Sequence, residues 1–352
     1  MSTSNHNIYY IFGAGASAGK QLDYSFPVNI INDGKIFNEK KTIKFNSFPL
    51  ANSFTETLAN YMMWINFQID SNESKIPELK NRYEEFKYYI AEIFAELSKI
   101  ALRFNTIDEA AKFYYIKGRT NELLELKKEI NKIFNFIDFL IFQRDPRYIQ
   151  HLITLVNKQN KIPENIHFLS WNYDNQFEIA NRILFGDSEP NIKKLNGSSP
   201  FFDRYFEGYI NSWENNFEII RPETINAFES EFLHFEQKKY ANSIRFSWEK
   251  EAIGFNNDVI NAIKAIKTTN NILVYIGYSH PFVNFPMDSE LIKTINPKKV
   301  YLQDPNFKDS YNVVFKERYE LKCDVEIIND CNRFFIPNEF FINSSIGEYR
   351  FG

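Results

Sequence analysis

The chain has 352 residues, of which 44% are hydrophobic and 24% charged, enough to bury a full core in one large domain or in a domain with an insertion. A net charge of −4 argues against a surface that coats nucleic acid, and Cys323 and Cys331 are too few for a disulfide framework or a structural zinc site. No apolar run approaches the ~18–20 residues that span a bilayer, and residues 1–7 carry neither a basic region nor an apolar one, so a soluble cytoplasmic protein without direct nucleic-acid or membrane binding is expected.

The first element is an apolar strand, Ile8 to Phe12, which runs straight into Gly13-Ala14-Gly15-Ala16-Ser17. A strand entering a glycine turn before a helix is how dinucleotide-binding folds begin, because glycine lets main-chain N–H groups close on a pyrophosphate. Small residues also serve to pack strand against helix, so the loop alone is a weak signal. Gln21 to Ser53 is polar and broken by Pro27, Gly34 and Pro49, which reads as a long loop with short extended pieces, placed to cover the glycine loop. From Ser53 to about Ile100 apolar residues recur at helical steps. Thr106 and Glu109 then form a capping box, and helical periodicity continues from Glu122 through Phe142. These blocks predict an all-helical insertion, residues 53–160, within a single domain spanning 1–352. Its apolar surface exceeds what one domain face needs, which predicts a homo-oligomer or a partner interface.

Strands return at Ile166 to Trp171, ending in Asn172-Tyr173-Asp174-Asn175 before a helix from Phe177 to Leu184. Ile192 to Leu195 is a short strand before Asn196-Gly197-Ser198; residues 201–239, aromatic and acidic, carry no assignable pattern. A helix from Phe255 to Lys267 precedes a buried strand, Asn271 to Ile276, that ends at Gly277-Tyr278-Ser279. Lys299 to Gln303 is another, ending at Asp304-Pro305-Asn306, and Cys323 to Ile328 is the last. Alternating strands and helices predict an α/β fold with a Rossmann-like, mostly parallel sheet covered on both faces. Ligands of such sheets sit at the carboxyl ends of the strands, so the polar strand-end loops are expected to converge on one crevice.

Four motifs, Gly13-Ala14-Gly15-Ala16-Ser17, Asn172-Tyr173-Asp174, Leu195-Asn196-Gly197 and Gly277-Tyr278-Ser279, each follow a strand. In this order they resemble the signature of the sirtuin superfamily, above all its divergent bacterial sirtuin-like members that act in antiphage defence. The resemblance covers roughly residues 8–30 and 165–330. It implies NAD as ligand, with Gly13, Ala14, Gly15 and Ser17 at its phosphates and the loop through Pro27 over its nicotinamide end. It places Asn172 and Asp174 at the nicotinamide and its ribose, where fixed dipoles would support the charge that develops as the glycosidic bond breaks. Gly277 and Ser279 would line the adenosine half, with Gln303, Asp304 and Asn306 within reach of its ribose or base. The plainer account of Asn172 and Asp174 is that both cap the following helix.

One position departs from the family. Deacylating sirtuins carry a histidine as general base before the glycine of the third motif, and here that position is Asn196. An amide cannot take a proton near neutral pH, so deacylation by that route is not expected. The two cysteines also cannot build the four-cysteine zinc ribbon of deacylating members, so no metal is expected. Cleavage of NAD to nicotinamide and ADP-ribose asks mainly for positioning, and Asn196 could orient a ribose hydroxyl or the attacking water. Of the five histidines (His6, His151, His167, His234 and His280), His280 directly follows Gly277-Tyr278-Ser279 and is the candidate to supply a base; His167, inside a strand, reads better as a core residue. The resemblance therefore implies an NAD hydrolase that depletes the cofactor as a defence effector, held off until assembly or a partner such as a HerA-type ATPase or an Argonaute-like protein relieves it. The rival expectation is a catalytically silent NAD- or ADP-ribose-binding scaffold or sensor.

Overall fold

The computed structural model describes residues 6–18, 22–32, 35–45, 103–140 except 105, 145–186, 192–199, 243–266 and 270–343, with isolated positions between 59 and 100. The chain divides into two compact units. One comprises residues 1–17, 145–198 and 245–352; the other comprises 18–144 and 199–244. The boundary near 145, rather than the expected 160, follows from packing: Tyr148, Leu152 and Leu155 are buried in the core of the first unit.

The first unit is an α/β fold around a six-stranded parallel sheet. Its strands are β1 (Asn7–Phe12), β4 (Ile166–Ser170), β5 (Ile192–Lys194), β6 (Asn271–Ile276), β7 (Lys299–Gln303) and β8 (Asp324–Ile328), in spatial order β5-β4-β1-β6-β7-β8. Counted within the sheet, that is the doubly wound order 3-2-1-4-5-6, in which the direction of winding reverses at the first strand. A parallel strand is buried on both faces, and every residue of β1 and β6 is buried. Side chains alternate between two cores. Ile8, Tyr10 and Phe12 meet α4 (Pro146–Leu155) and α5 (Gln176–Phe185) on one face. Tyr9 and Ile11 meet α6 (Lys250–Ala265), α7 (Phe285–Ile295) and α8 (Tyr311–Arg318) on the other. Burying the aliphatic side chains of such a core contributes about 1.5–3 kcal/mol each before entropy is counted.

Beyond the strands, the ladder continues into the loops. Leu195 N–H donates to Ser170, Trp171 to Phe12, Gly13 to Ile276, Gly277 to Gln303 and Asp304 to Ile328, over 2.8–3.1 Å. All the strand ends are therefore tied in one row. At the centre the fit is tightest: a Cβ added to Gly277, whose φ is +60°, would lie 2.2 Å from Ala16 N. One added to Gly15 would lie 2.9 Å from Gly277 Cα, and Gly15 N–H donates to the Gly277 carbonyl at 2.8 Å.

In the second unit, Thr106 caps α2 (Ile107–Ile116) by accepting from Glu109 N–H at 3.1 Å, as the capping box predicts. It is followed by α3 (Thr120–Leu140), which buries Leu123, Leu126, Ile130 and Ile133. The segment expected to be a long loop is instead an antiparallel hairpin of β2 (Leu22–Asn32) and β3 (Lys35–Phe45). Pro27 stands in mid-strand opposite Lys40, which a two-stranded ribbon tolerates because half of its N–H groups face outward. Most of residues 53–100 and all of 201–239 lie outside the described residues, though positions described between 88 and 100 are helical. No helix among the described residues is long and apolar enough to cross a membrane.

Gly277→Ala is expected to destabilise the fold by at least ~2 kcal/mol, since it combines left-handed strain with a clash against rigid backbone. Gly15→Ala should cost less. Urea unfolding of the two variants against the parent checks the order.

Candidate functional site

The first unit brings Ser17, Asn172, Asp174 and Asn196 to the carboxyl edge of β1, β4 and β5. Ser17 ends α1 (Ala14–Ser17), the short turn after the glycine loop, and is buried. Its Oγ lies 2.8 Å from the Tyr148 hydroxyl and accepts from Asn172 Nδ2 at 3.1 Å. Asn172 N–H donates to Ser170 Oγ at 3.0 Å, which bends the chain as it leaves β4. With Nδ2 fixed by Ser17, Asn172 Oδ1 is buried and accepts no hydrogen bond among the described residues.

Asn196 is buried in the same way. Its Nδ2 donates to the Trp171 carbonyl at 3.4 Å, its carbonyl accepts from Arg245 N–H at 2.7 Å, and its Oδ1 has no donor among the described residues. Most buried polar atoms are paired, and leaving one unmet costs about 1–3 kcal/mol. The two amide oxygens belong to side chains anchored at neighbouring strand ends, Asn172 through Ser17 after β1 and Asn196 through the Trp171 carbonyl after β4.

Asp174 turns toward its own backbone just before the helix, whose N-cap is Asn175. Its Oδ1 accepts from Gln176 N–H at 3.1 Å at the start of α5. The two residues of one motif thus divide: Asp174 shapes the turn that leads into the helix, and Asn172 reaches across to the glycine loop.

The glycine loop differs from the expected phosphate cradle. Gly13, Gly15 and Ala16 N–H groups donate to Ile276, Gly277 and Gly13 carbonyls. Gly13 and Gly15 are glycine here because Gly277 and Tyr278 press on them. Ala16 carbonyl accepts from Arg147 Nη2 at 2.9 Å. Ala14 lies in the same turn.

His280 does not enter this cluster, contrary to expectation. Its φ is +53°, and the ring is buried among Tyr275, Tyr278, Phe315 and Tyr319 with centroids 4.5–5.9 Å away. Burial, and then the charge of Arg318, holds its pKa well below the usual imidazole value. It is a neutral core residue. Ser279 beside it is exposed. Gln303 also turns inward: its Nε2 donates to the carbonyls of Asp330 and Arg333 at 2.6 and 2.7 Å, and its Oε1 accepts from Phe335 N–H at 2.9 Å. Asp304 Oδ1 accepts from Asn306 N–H at 2.8 Å, making a turn at the end of β7 that leaves Asn306 exposed. Pro27 belongs to the other unit.

Three residues that motif reading missed support the site. Tyr148 backs Ser17. Lys194 Nζ donates to the Asp174 carbonyl at 2.5 Å and the Asn172 carbonyl at 3.3 Å, and pairs with Glu178 at 3.0 Å, so it clamps the Asn172–Asp174 turn. Arg147 grips Asp145 with two nitrogens while bonding the Ala16 and Cys331 carbonyls. Asp145-Pro146, a capping residue before a first-turn proline, is the signal that places Arg147 and Tyr148 at a helix start. No group of three or more His, Cys, Asp or Glu side chains among the described residues is arranged to hold a metal ion.

Two other imidazoles are depressed by burial: buried His151 to about 3 and half-buried His167, in β4, to about 4. With His280, they make the fold sensitive to acid. Each has a folded pKa below the unfolded value of about 6.5, so full stability holds above that pH and is lost as pH falls toward 4. The melting temperature is expected to drop steadily over that window. A flat profile would contradict the burial of these rings.

A comparison with known proteins adds no relative: no family model, curated protein or solved structure matches the chain.

Proposed function

We propose that the chain is a sirtuin-like NAD hydrolase that releases nicotinamide and ADP-ribose. The observation that supports it most is Asn172, an amide locked by Ser17 beside the glycine loop, with a buried oxygen that meets no donor among the described residues. Departure of nicotinamide leaves positive charge on the ribose, and a fixed amide oxygen in a site shielded from water stabilises that charge. Asn196 supplies the second oxygen, suited to a ribose hydroxyl or to the attacking water. Neither amide can act as a base, so the reading favours hydrolysis over deacylation, which needs a proton acceptor. Lys194, holding the turn that carries Asn172, keeps the dipole in place.

The biological setting is the further step that the motif order suggests: an antiphage effector acting in the cytoplasm by depleting NAD. Such an enzyme needs an inactive state, relieved by self-assembly or by a partner such as a HerA-type ATPase or an Argonaute-like protein.

Free nicotinamide released from NAD by the purified chain, alone and with candidate partners, tests the reading. Asn172→Ala is expected to lower the rate by about two to three orders of magnitude with little change in melting temperature, and Asn196→Ala to lower it less. NAD binding without any release of nicotinamide would replace the hydrolase by the silent binding module.

A further inference from the structure

Asp288, in the first turn of α7, is fully buried, and its Oδ2 accepts from the Tyr278 hydroxyl at 2.9 Å and the Tyr319 hydroxyl at 3.3 Å. The Tyr278 hydroxyl also accepts from Asn284 Nδ2 at 3.1 Å, and Asn284 Oδ1 accepts from Ser247 Oγ at 2.7 Å. Tyr278 lies against two of the site's loops, those after β1 and β4. Its ring stacks on Trp171 with centroids 5.9 Å apart and planes 8° from parallel. Trp171 precedes Asn172, and its carbonyl receives the Asn196 amide. The Tyr278 backbone leaves no room for a Cβ on Gly13.

We propose that Asp288 is the positioning residue of this site, acting through the Tyr278 hydroxyl and the Trp171 ring to hold the Asn172 and Asn196 amides in register with the glycine loop. The proposal rests on the reading of those amides as ligand contacts. A buried carboxylate costs more than an apolar residue of similar size unless its partners answer it. Here they fix the rotation of one ring at a three-way junction. An aromatic ring held only by stacking could slide in its plane; a hydroxyl tied to a charged acceptor cannot.

The groups facing Asp288 are Tyr278 and Tyr275 from β6 and its loop, Tyr319, Arg318 and Tyr311 from α8, and Trp171 after β4. Neutral His280 packs against Tyr278 and Tyr319. Burial pushes the Asp288 carboxyl up to about 7, against the two tyrosine hydroxyls and Arg318, which favour its charged form. Above that pH the carboxylate grips both hydroxyls. Below it the carboxyl carries its own proton and holds them more weakly, so the site is set as pH rises through neutrality.

The test uses the full chain, first without ligand. Tryptophan emission is followed from about pH 5.5 to 8.5, with Trp171→Phe identifying the contribution of Trp171. A shift near neutral pH is expected in the parent and is expected to vanish in Asp288→Asn. NAD turnover by Asp288→Asn should lose about tenfold in kcat with KM little changed, and its rise through neutral pH should flatten. A folded Asp288→Asn protein that keeps the parent's emission shift and pH profile overturns the proposal. If Asp288→Asn does not fold, Tyr278→Phe decides, since it keeps the ring and removes only the hydroxyl; retention of the shift there also overturns it. Should the parent cleave no NAD, the reading of function fails, while the ligand-free emission still decides the role of Asp288.

Discussion

The architecture depends on a backbone contact that leaves no space for a side chain. Gly15 donates to the carbonyl of Gly277, and a Cβ on Gly277 would fall on the Ala16 nitrogen. This fastens the loop after β1 to the loop after β6, the two neighbours at which the sheet's winding reverses. In an open doubly wound sheet these loops diverge and leave a crevice; here the central pair is closed at its base. The same contact engages main-chain N–H groups that a phosphate cradle would require. Glycine in this loop is thus explained by packing, and on the proposed function the side chains flanking the contact meet the ligand.

Those side chains are acceptors. Asn172 and Asn196 each place the donor end of the amide on a protein oxygen and leave the carbonyl end buried. Two oxygens without a donor among the described residues cost the fold stability that a hydrophobic pair would not; on the proposed function a donor-rich ligand completes them. A ribose hydroxyl or a carboxamide N–H has that chemistry. A bare anion, which carries no donor, does not.

Legibility followed the physics of burial. Strands β1, β6 and β7 read directly because both of their faces are covered, which writes an unbroken apolar run into the sequence. The hairpin was hidden by its polar residues and by Pro27, although Asp33-Gly34 stands between its strands as a two-residue turn signal. Helices α7 and α8 escaped for different reasons. Pro286 in the first turn of α7 reads as a loop, and α8 exposes Val313 and Val314, which blurs its periodicity. Motif order placed Asn172, Asp174 and Asn196 at neighbouring strand ends, where they stand, but the turn made by Asp174 and the burial of His280 were set by rotamers and by a left-handed backbone that spacing does not encode. Lys194 was hidden because its part is to bind two main-chain carbonyls.

For the proposed reaction, the lack of a proton acceptor beside Asn172 and Asn196 among the described residues bears on mechanism most. Burial disfavours the charged forms of His151, His167 and His280, and none is hydrogen-bonded to the Asn172 or Asn196 side-chain oxygen. Asp174 has turned one oxygen to its helix. A reaction that must remove a proton early therefore has no acceptor among these groups. One limited by the departure of a leaving group does not need it, because the positive charge created in that step is met by dipoles, and the proton of the attacking water becomes acidic only after the bond has broken. On the proposed function, Asn196, tied to the Trp171 carbonyl, suits dissociative cleavage better than a reaction that needs a base at this position.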